Sequence, residues 1–365
     1  MRPAAEAGHT FWQVKASTLC NLRCRYCYEW DRLADTRRLP LDGWRRVFEA
    51  ARTYAPYCRA RFGVVSEPLI FWHGGEPLLL PNGYVREVLA LQREVFGAPP
   101  INLVQTNLFR PNETLETMLA AGFVFSVSLD GRPGARVDGA GRDSERQVWG
   151  NLAALQARGA TVGVALVLGR HNYRDLPALH DALATLGVAW LRVNPLFAPP
   201  HDAPAGDLPL TSAEIVAALG ELQVHRRRTG ASLEVQPLDR IAEAVARHEA
   251  GEAAPLYARA GHAAGRFVVH PDGTLATQAG DNDGEHVIGN LMRQDLPAIL
   301  AGDAYARAVA LDDKARAMVC GRCRFQYACN GRALLETPIA SANDPCPIEA
   351  PLTEVIAAQA DGTTG

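Results

Sequence analysis

From residue 11 to about residue 235, short β-rich runs alternate with amphipathic stretches, and no other feature of the chain restricts its fold as much. The runs are Phe11 to Ala16, Leu69 to Trp72, Ile101 to Thr106, Val124 to Ser128, Val162 to Leu168, Trp190 to Val193 and, more weakly, Leu233 to Val235. Helical patterns lie between them at Leu41 to Tyr54, Tyr84 to Phe96, Glu113 to Ala121, Glu145 to Arg158, Asp175 to Leu186 and Ser212 to Arg228. Repeated strand and helix predict an α/β fold, a parallel sheet with outer helices that is open or curled toward a barrel. In such folds chemistry sits at the carboxyl ends of the strands. The proline-rich stretch Pro195 to Pro209 reads as a long loop near that end. After residue 236 the alternation lapses into a helix over Leu238 to Glu249. A hairpin follows over Arg266 to His270 and Thr274 to Gln278, turning at Pro271-Asp272-Gly273, and then a cysteine-rich tail.

The eight cysteines form two groups: four by position 58, four between 320 and 346, and none in the 261 residues between. That is too few for a disulfide scaffold in a chain of 365 residues, so metal or catalytic use is the better reading. At 48% hydrophobic and 21% charged residues the chain is a soluble globular protein. The net charge of -3 gives no pull toward nucleic acid or an anionic membrane. No run is long enough to span a bilayer, and Met1 to Thr10 lacks the apolar block of a signal peptide, so a cytoplasmic location is expected.

Directly after the first strand comes Cys20-Asn21-Leu22-Arg23-Cys24-Arg25-Tyr26-Cys27. Three thiolates at this spacing can hold three corners of a cubane iron-sulfur cluster and leave the fourth iron open. A zinc site with a distant fourth ligand is the alternative. Further polar elements stand at later strand ends: His73-Gly74-Gly75-Glu76-Pro77, Gln105-Thr106-Asn107 and Ser128-Leu129-Asp130-Gly131. Two glycines allow a backbone to come close to a ligand, and Glu76 offers an acceptor for an ammonium group. In the tail, Cys320, Cys323, Cys329 and Cys346 suffice to close a site completely, whether structural zinc or a fully ligated cluster. Cys58 belongs to neither group and reads as a buried thiol on a helix end.

Taken in this order and spacing, these elements resemble the radical S-adenosylmethionine enzymes, in the branch with a SPASM-type C-terminal extension. The resemblance implies a partial (β/α)6 TIM-like barrel over residues 1–236 and a small cysteine-rich auxiliary domain over 237–365. It implies a [4Fe-4S] cluster on Cys20, Cys24 and Cys27, whose unique iron is chelated by S-adenosylmethionine and whose reduction yields a 5'-deoxyadenosyl radical. Gly74, Gly75 and Glu76 would meet the methionine amino end and Ser128 its polar groups, with Arg136 the candidate for the carboxylate. Asn107 and Asn172 would face the ribose. Cys320, Cys323, Cys329 and Cys346 match the ligands of the family's outer auxiliary cluster. The inner cluster is expected to be missing, because its positions fall on His262, Gln278 and Ala333.

Within the family, Phe71-Trp72-His73-Gly74-Gly75-Glu76-Pro77-Leu78 and Val127-Ser128-Leu129-Asp130-Gly131 look like the maturases that crosslink side chains in ribosomally made precursor peptides, with cyclophane-type or related bonds. The sulfatase-maturing branch is similar in length, but its pattern has a basic aspartate right after the hairpin cysteine, where this chain has Gln278-Ala279. Oxidation or rearrangement of a small molecule is a further reading, and a zinc-stapled binding module is the non-enzyme one. Nineteen residues precede Cys20, too few for a fused peptide-recognition domain. A precursor is therefore expected to bind the core or to be delivered by a separate protein, with flavodoxin or ferredoxin as external electron donor. No catalytic base is identified.

Overall fold

The computed structural model describes residues 9–62, 67–196, 204–253, 265–279, 284, 286–321, 323–329, 346 and 348–360. Its first half repeats strand and helix: β1 (His9–Ser17), α1 (Leu41–Phe62), β2 (Glu67–Gly74), α2 (Asn82–Phe96), β3 (Ile101–Thr106), α3 (Glu113–Ala120), β4 (Val124–Ser128) and α4 (Glu145–Ala157). The series continues with β5 (Val162–Leu168), α5 (Leu176–Leu186), β6 (Trp190–Pro195), α6 (Ser212–Thr229), β7 (Glu234–Gln236) and α7 (Leu238–Glu249). Three strands follow, β8 (Arg266–Val269), β9 (Thr274–Ala276) and β10 (Val287–Asn290), then α8 (Leu296–Leu300), α9 (Asp303–Cys320) and α10 (Glu349–Ala360).

All ten strands form one sheet in the order β10-β9-β8-β1-β2-β3-β4-β5-β6-β7. Strands β1 to β7 pair in parallel and in sequence, the partial barrel that the alternation predicts. Strand β8 adds to the free edge of β1, also in parallel, and β9 and β10 continue antiparallel. The ladder therefore runs across residue 236. Phe267 of β8 stacks on Trp12 of β1 at 4.6 Å between ring centroids and meets Tyr54 of α1 edge-on at 4.8 Å.

One face of the sheet is mostly apolar, with Thr10, Asn102 and Thr106 as buried polar residues among its side chains. Trp12, Val14, Ile70, Trp72, Val104, Phe125, Val127, Val164, Leu166 and Leu191 are buried there, joined to the core residues Trp44, Val47, Phe48 and Tyr54 of α1. Alternation along each strand puts the intervening residues on the inner face. At the N-terminal ends that face is apolar, with Phe11, Leu69, Ile101 and Val124. Trp190 lies so closely over Gly163 that a Cβ there would sit 1.9 Å from the indole. Toward the C-terminal ends the same face carries Lys15, His73, Gln105, Ser128, Arg192 and Asn194. The barrel is filled at one end and polar at the other, which places the site.

Candidate active site

The cysteine loop leaves β1 and crosses the end of β2. Gly75 N–H donates to Ser17 O at 2.9 Å and Glu76 N–H to Leu19 O at 2.8 Å. Gly74 holds φ at +124°, and a Cβ on it would stand 2.0 Å from Ser17 O; one on Gly75 would stand 2.2 Å from the carbonyl oxygens of Thr18 and Leu19. The backbone that these glycines let close is thus the chain's own cysteine loop. Its far side is tied to the segment after β4, with Arg23 N–H donating to Val137 O at 2.6 Å and Arg25 N–H to Ala135 O at 2.9 Å. Cys20, Cys24 and Cys27 are unpaired by disulfides and partly exposed. Burial pushes the Cys20 thiol up to about 12 and moves Cys24 and Cys27 above their ordinary value as well. Three such thiols on one pinned loop fit a metal cluster, whose own positive charge would turn them into thiolates.

Glu76 is buried, and its carboxylate is engaged within the protein. Oε1 accepts from Leu78 N–H at 2.9 Å and from the Thr106 hydroxyl at 2.7 Å, and Oε2 accepts from Asn107 N–H at 2.6 Å. The residue that sequence assigns to a ligand ammonium therefore also fastens β2 to the end of β3. Burial raises its pKa, against the lowering effect of these three donors. Asn107 follows with its side-chain amide 2.8 Å from Asn21 Oδ1 and 3.7 Å from Cys20 Sγ, against the cysteine loop. Ser128 accepts from Gln105 Nε2 at 3.3 Å. Asn172 is occupied with backbone, donating to Asp130 O at 3.1 Å and Val167 O at 3.0 Å.

Arg136 is buried at the cysteine loop, its Nη1 3.1 Å from Tyr26 Oη and its Nε 3.4 Å from Glu145 Oε1. Burial opposes its charge, but Cys24, Tyr26, Asp130 and Glu145 more than offset this and hold the guanidinium pKa high. Tyr26 donates to Asp130 Oδ2 at 2.6 Å, and His171 meets the same oxygen at 3.2 Å. Glu145 accepts from the N–H groups of Asp130 and Gly131, and burial, then the nearby Asp130 charge, raise its pKa to about 7. Ser-Leu-Asp-Gly is thus a load of backbone and carboxylate bonds joining β4, β5 and the cysteine loop.

Sequence reading missed the groups on the other side of the mouth. Lys15 on β1 is fully buried and pairs with Glu29 at 2.5 Å. Burial pulls its pKa down while Glu29 opposes the change. Its ammonium lies 5.2 Å from the centre of the Tyr28 ring, and Tyr28 Oη lies 3.4 Å from His73 Nδ1. Burial, with Lys15 and Arg266 close by, pushes His73 down to about 3. The signal was present in the strict alternation of Gln13, Lys15 and Ser17 with Val14 and Ala16 in β1.

In the tail, Cys320 ends α9, Cys323 N–H donates to Cys320 O at 3.0 Å, and Cys329 N–H to Phe325 O at 3.0 Å. Buried Cys346 packs with Val319, and Cys320 lies against that pair. Gln278 follows β9, whereas His262 and Ala333 lie outside the described residues. Cys58 is buried in α1 as expected.

Among the described residues, the metal-competent side chains whose ligand atoms lie within 4.8 Å of one another are His180, Asp181 and His225. This set is hydrogen-bonded within itself: His225 Nε2 lies 2.9 Å from both Asp181 oxygens, and Arg228 Nη2 lies 3.2 Å from His225 Nδ1. Arginine can only donate, so Nδ1 accepts and Nε2 carries the proton toward Asp181. A metal at Nε2 would have to displace that proton, and one at Nδ1 would have to displace Arg228.

Residues 14–183 match the profile of the Radical SAM superfamily. The chain carries a radical SAM domain. Among curated proteins, the chain is 27% identical over 191 residues to the serine-type anaerobic sulfatase-maturating enzyme of Klebsiella aerogenes, covering 49% of this chain and 44% of that protein. It is 22% identical over 196 residues to the cysteine-type enzyme of Clostridium novyi, covering 51% of each. The chain thus spans about half the length of the curated relatives it matches. The fold likeness to solved structures reaches further. Native anSMEcpe with bound AdoMet and Cp18Cys peptide aligns with a TM-score of 0.74 at 16% identity, covering 97% of this chain and 96% of that one. SuiB of Streptococcus suis bound to the precursor peptide SuiA aligns at 0.64 and 12% identity, covering 93% and 75%. The radical SAM domain and the region after it together have the architecture of these proteins.

Proposed function

We propose that this chain is an enzyme that binds a [4Fe-4S] cluster on Cys20, Cys24 and Cys27, cleaves S-adenosylmethionine reductively and acts on a peptide. The observation that carries the proposal is the cysteine loop itself. Three thiols without disulfides are pinned by backbone bonds across the strand ends, next to the polar rim of the barrel. When bound, the cluster and S-adenosylmethionine supply a 5'-deoxyadenosyl radical that takes a hydrogen atom from substrate. The protein's part is placement. Gly74 and Gly75 let the loop settle, and Glu76 fixes Thr106 and Asn107 beside it while keeping acceptor capacity on Oε2 for an ammonium group. Ser128 and Asn107 offer polar contacts, and Arg136 sets a positive charge beside Cys24 and is the candidate partner for a carboxylate.

Residues 1–236 would form the catalytic core and 237–365 an auxiliary domain in which Cys320, Cys323, Cys329 and Cys346 hold a second [4Fe-4S] cluster. A ferredoxin or flavodoxin would supply the electron. The peptide reading is supported by the fold shared with two proteins described with bound peptides. The finer proposal is a crosslink between side chains of a precursor peptide. Against sulfatase-type oxidation stands position 279, where an alanine replaces the aspartate of that branch and its carbonyl accepts from Lys15.

The test is anaerobic reconstitution followed by reduction with S-adenosylmethionine present. Cys20→Ala, Cys24→Ala and Cys27→Ala are each expected to abolish 5'-deoxyadenosine formation; normal turnover in any of them would end the assignment. A crosslinked product loses two hydrogens and resists fragmentation between the joined residues. A product that fragments freely at every bond would leave the radical chemistry and remove the crosslink.

A further inference from the structure

Lys15 and Glu29 form an ion pair with almost no solvent exposure, at 0% and 2% of their side-chain surfaces. Lysine is seldom buried so deeply, and an apolar pair of the same volume would often be as stable or more so. What a buried pair supplies instead is direction. The ammonium stands 2.5 Å from Glu29 Oε1 as an ion pair and donates to the carbonyl of Ala279 at 2.5 Å, a group 264 residues further along the chain. Glu29 stands two residues past Cys27, on the turn where Arg32 N–H closes back on Glu29 O at 2.8 Å. Ala279 stands three residues past the end of β9. The register of β1 against β2 shifts between Lys15 and Ser17, so the strand bulges just after the lysine, a device that re-aims a side chain. A second tie runs parallel to the first: Arg266 of β8 donates to Gln13 of β1 at 2.7 Å.

We propose that Lys15 is a positioning residue, a latch that fastens the segment after β9 to the cysteine loop and so fixes how position 279 is presented at the mouth of the barrel. The C-terminal strands are joined to the core by the ladder with β1, but that ladder ends at Val269 paired with Val14. Beyond it, Lys15 bonds the two loops that meet at the mouth. The latch stands on these contacts alone; its effect on a cluster rests on the function proposed above.

The experiment is amide hydrogen exchange on the full-length protein without iron, comparing wild type with Lys15→Met, Lys15→Arg and Glu29→Gln. Lys15→Met is expected to speed exchange at least tenfold in segments 27–33 and 274–279, with β3 to β5 unchanged and Lys15→Arg restoring part of the protection. Unchanged exchange in both segments, or an equal rise across the whole sheet, would overturn the latch. Should Lys15→Met not fold, Glu29→Gln decides: it should loosen 27–33 while 274–279 stays held through the Ala279 carbonyl, and a uniform rise counts against the proposal. On iron-loaded protein, losing the cation should lower the cluster's midpoint potential and losing the anion should raise it. Shifts of the same sign, or none, would also overturn the latch, whereas a protein that binds no iron would remove the cluster reading and leave the exchange result standing.

Discussion

Gly75 stands where the cysteine loop crosses the end of β2, its N–H bonded to Ser17 O. Adjacent glycines at a strand end suggest a backbone that must come near a ligand; here the partner coming near is the carbonyl row of Thr18 and Leu19. An added methyl at 2.2 Å from main-chain oxygens has no flexible neighbour to push aside. Gly75→Ala is expected to dislodge the cysteine loop and to lower iron bound at the first site, read as metal content after reconstitution; full loading would show that the loop tolerates displacement. Glu76 makes the same point through hydrogen bonds. In Glu76→Gln the new amide NH2 must face either Leu78 N–H and Thr106 or Asn107 N–H, so a donor meets a donor in one orientation or the other. Denaturant titration should show a loss of about 1–3 kcal/mol even without any ligand. An unchanged midpoint would free Glu76 for a role toward ligand alone. Sequence could find these residues because motif and strand end coincide, but partners 30 or more residues away in the chain leave no local trace.

Elements with a strong period were legible, and those held by long-range packing were not. Strands β3, β4 and β5 coincide with the apolar runs, and α7 with its helical pattern, since alternation and amphipathicity are local properties. The helical pattern of the first helix ends at Tyr54, before Pro56, yet α1 continues to Phe62, with Tyr54 packed on Phe267 and Cys58 buried beyond the proline. Tertiary burial there outweighs the hydrogen bond that proline removes. Strand β10 is four residues on a sheet edge, and α10 buries Leu352 and Ile356 against α6 and α7, neither signal being strong in isolation. The hairpin of β8 and β9 was legible from its turn, but not its addition to β1. It brings His270 to 3% exposure with neither ring nitrogen hydrogen-bonded, and burial pushes its pKa down to about 3. The unfolded chain takes up a proton near pH ~6.5 and the folded chain does not, so this residue's share of stability is full above that pH and lost as pH falls toward 3. The slope should be about 1.4 kcal/mol per pH unit. His270→Leu is expected to flatten it while leaving stability at pH ~7 the same or higher; an unaltered slope would place the acid sensitivity elsewhere.

At the scale of the whole molecule, a single sheet runs from β10 to β7, and the two cysteine groups attach to it differently. The first sits on a loop between β1 and α1, held by bonds to the ends of β2 and the segment after β4; the second begins at the end of α9. Seven of the eight thiols divide between these sites, and Cys58 is buried in α1, away from both groups in the chain. An open three-cysteine set and a closed four-cysteine set, each with a [4Fe-4S] cluster, require about 8 irons per chain. A zinc tail would give about 4 irons and one zinc, and a third cluster about 12 irons. Joint replacement of Cys320 and Cys323 should lower the count to about 4. It should also loosen the packing of Cys346 on Val319, because a closed metal site contributes directly to folding. The first site should keep its iron and its S-adenosylmethionine cleavage, since its loop is fixed by contacts outside the tail. Elemental analysis beside 5'-deoxyadenosine assay separates these outcomes. Loss of all iron from the double variant would mean that the first site depends on the second, and the independence argued from the loop's hydrogen bonds would fail.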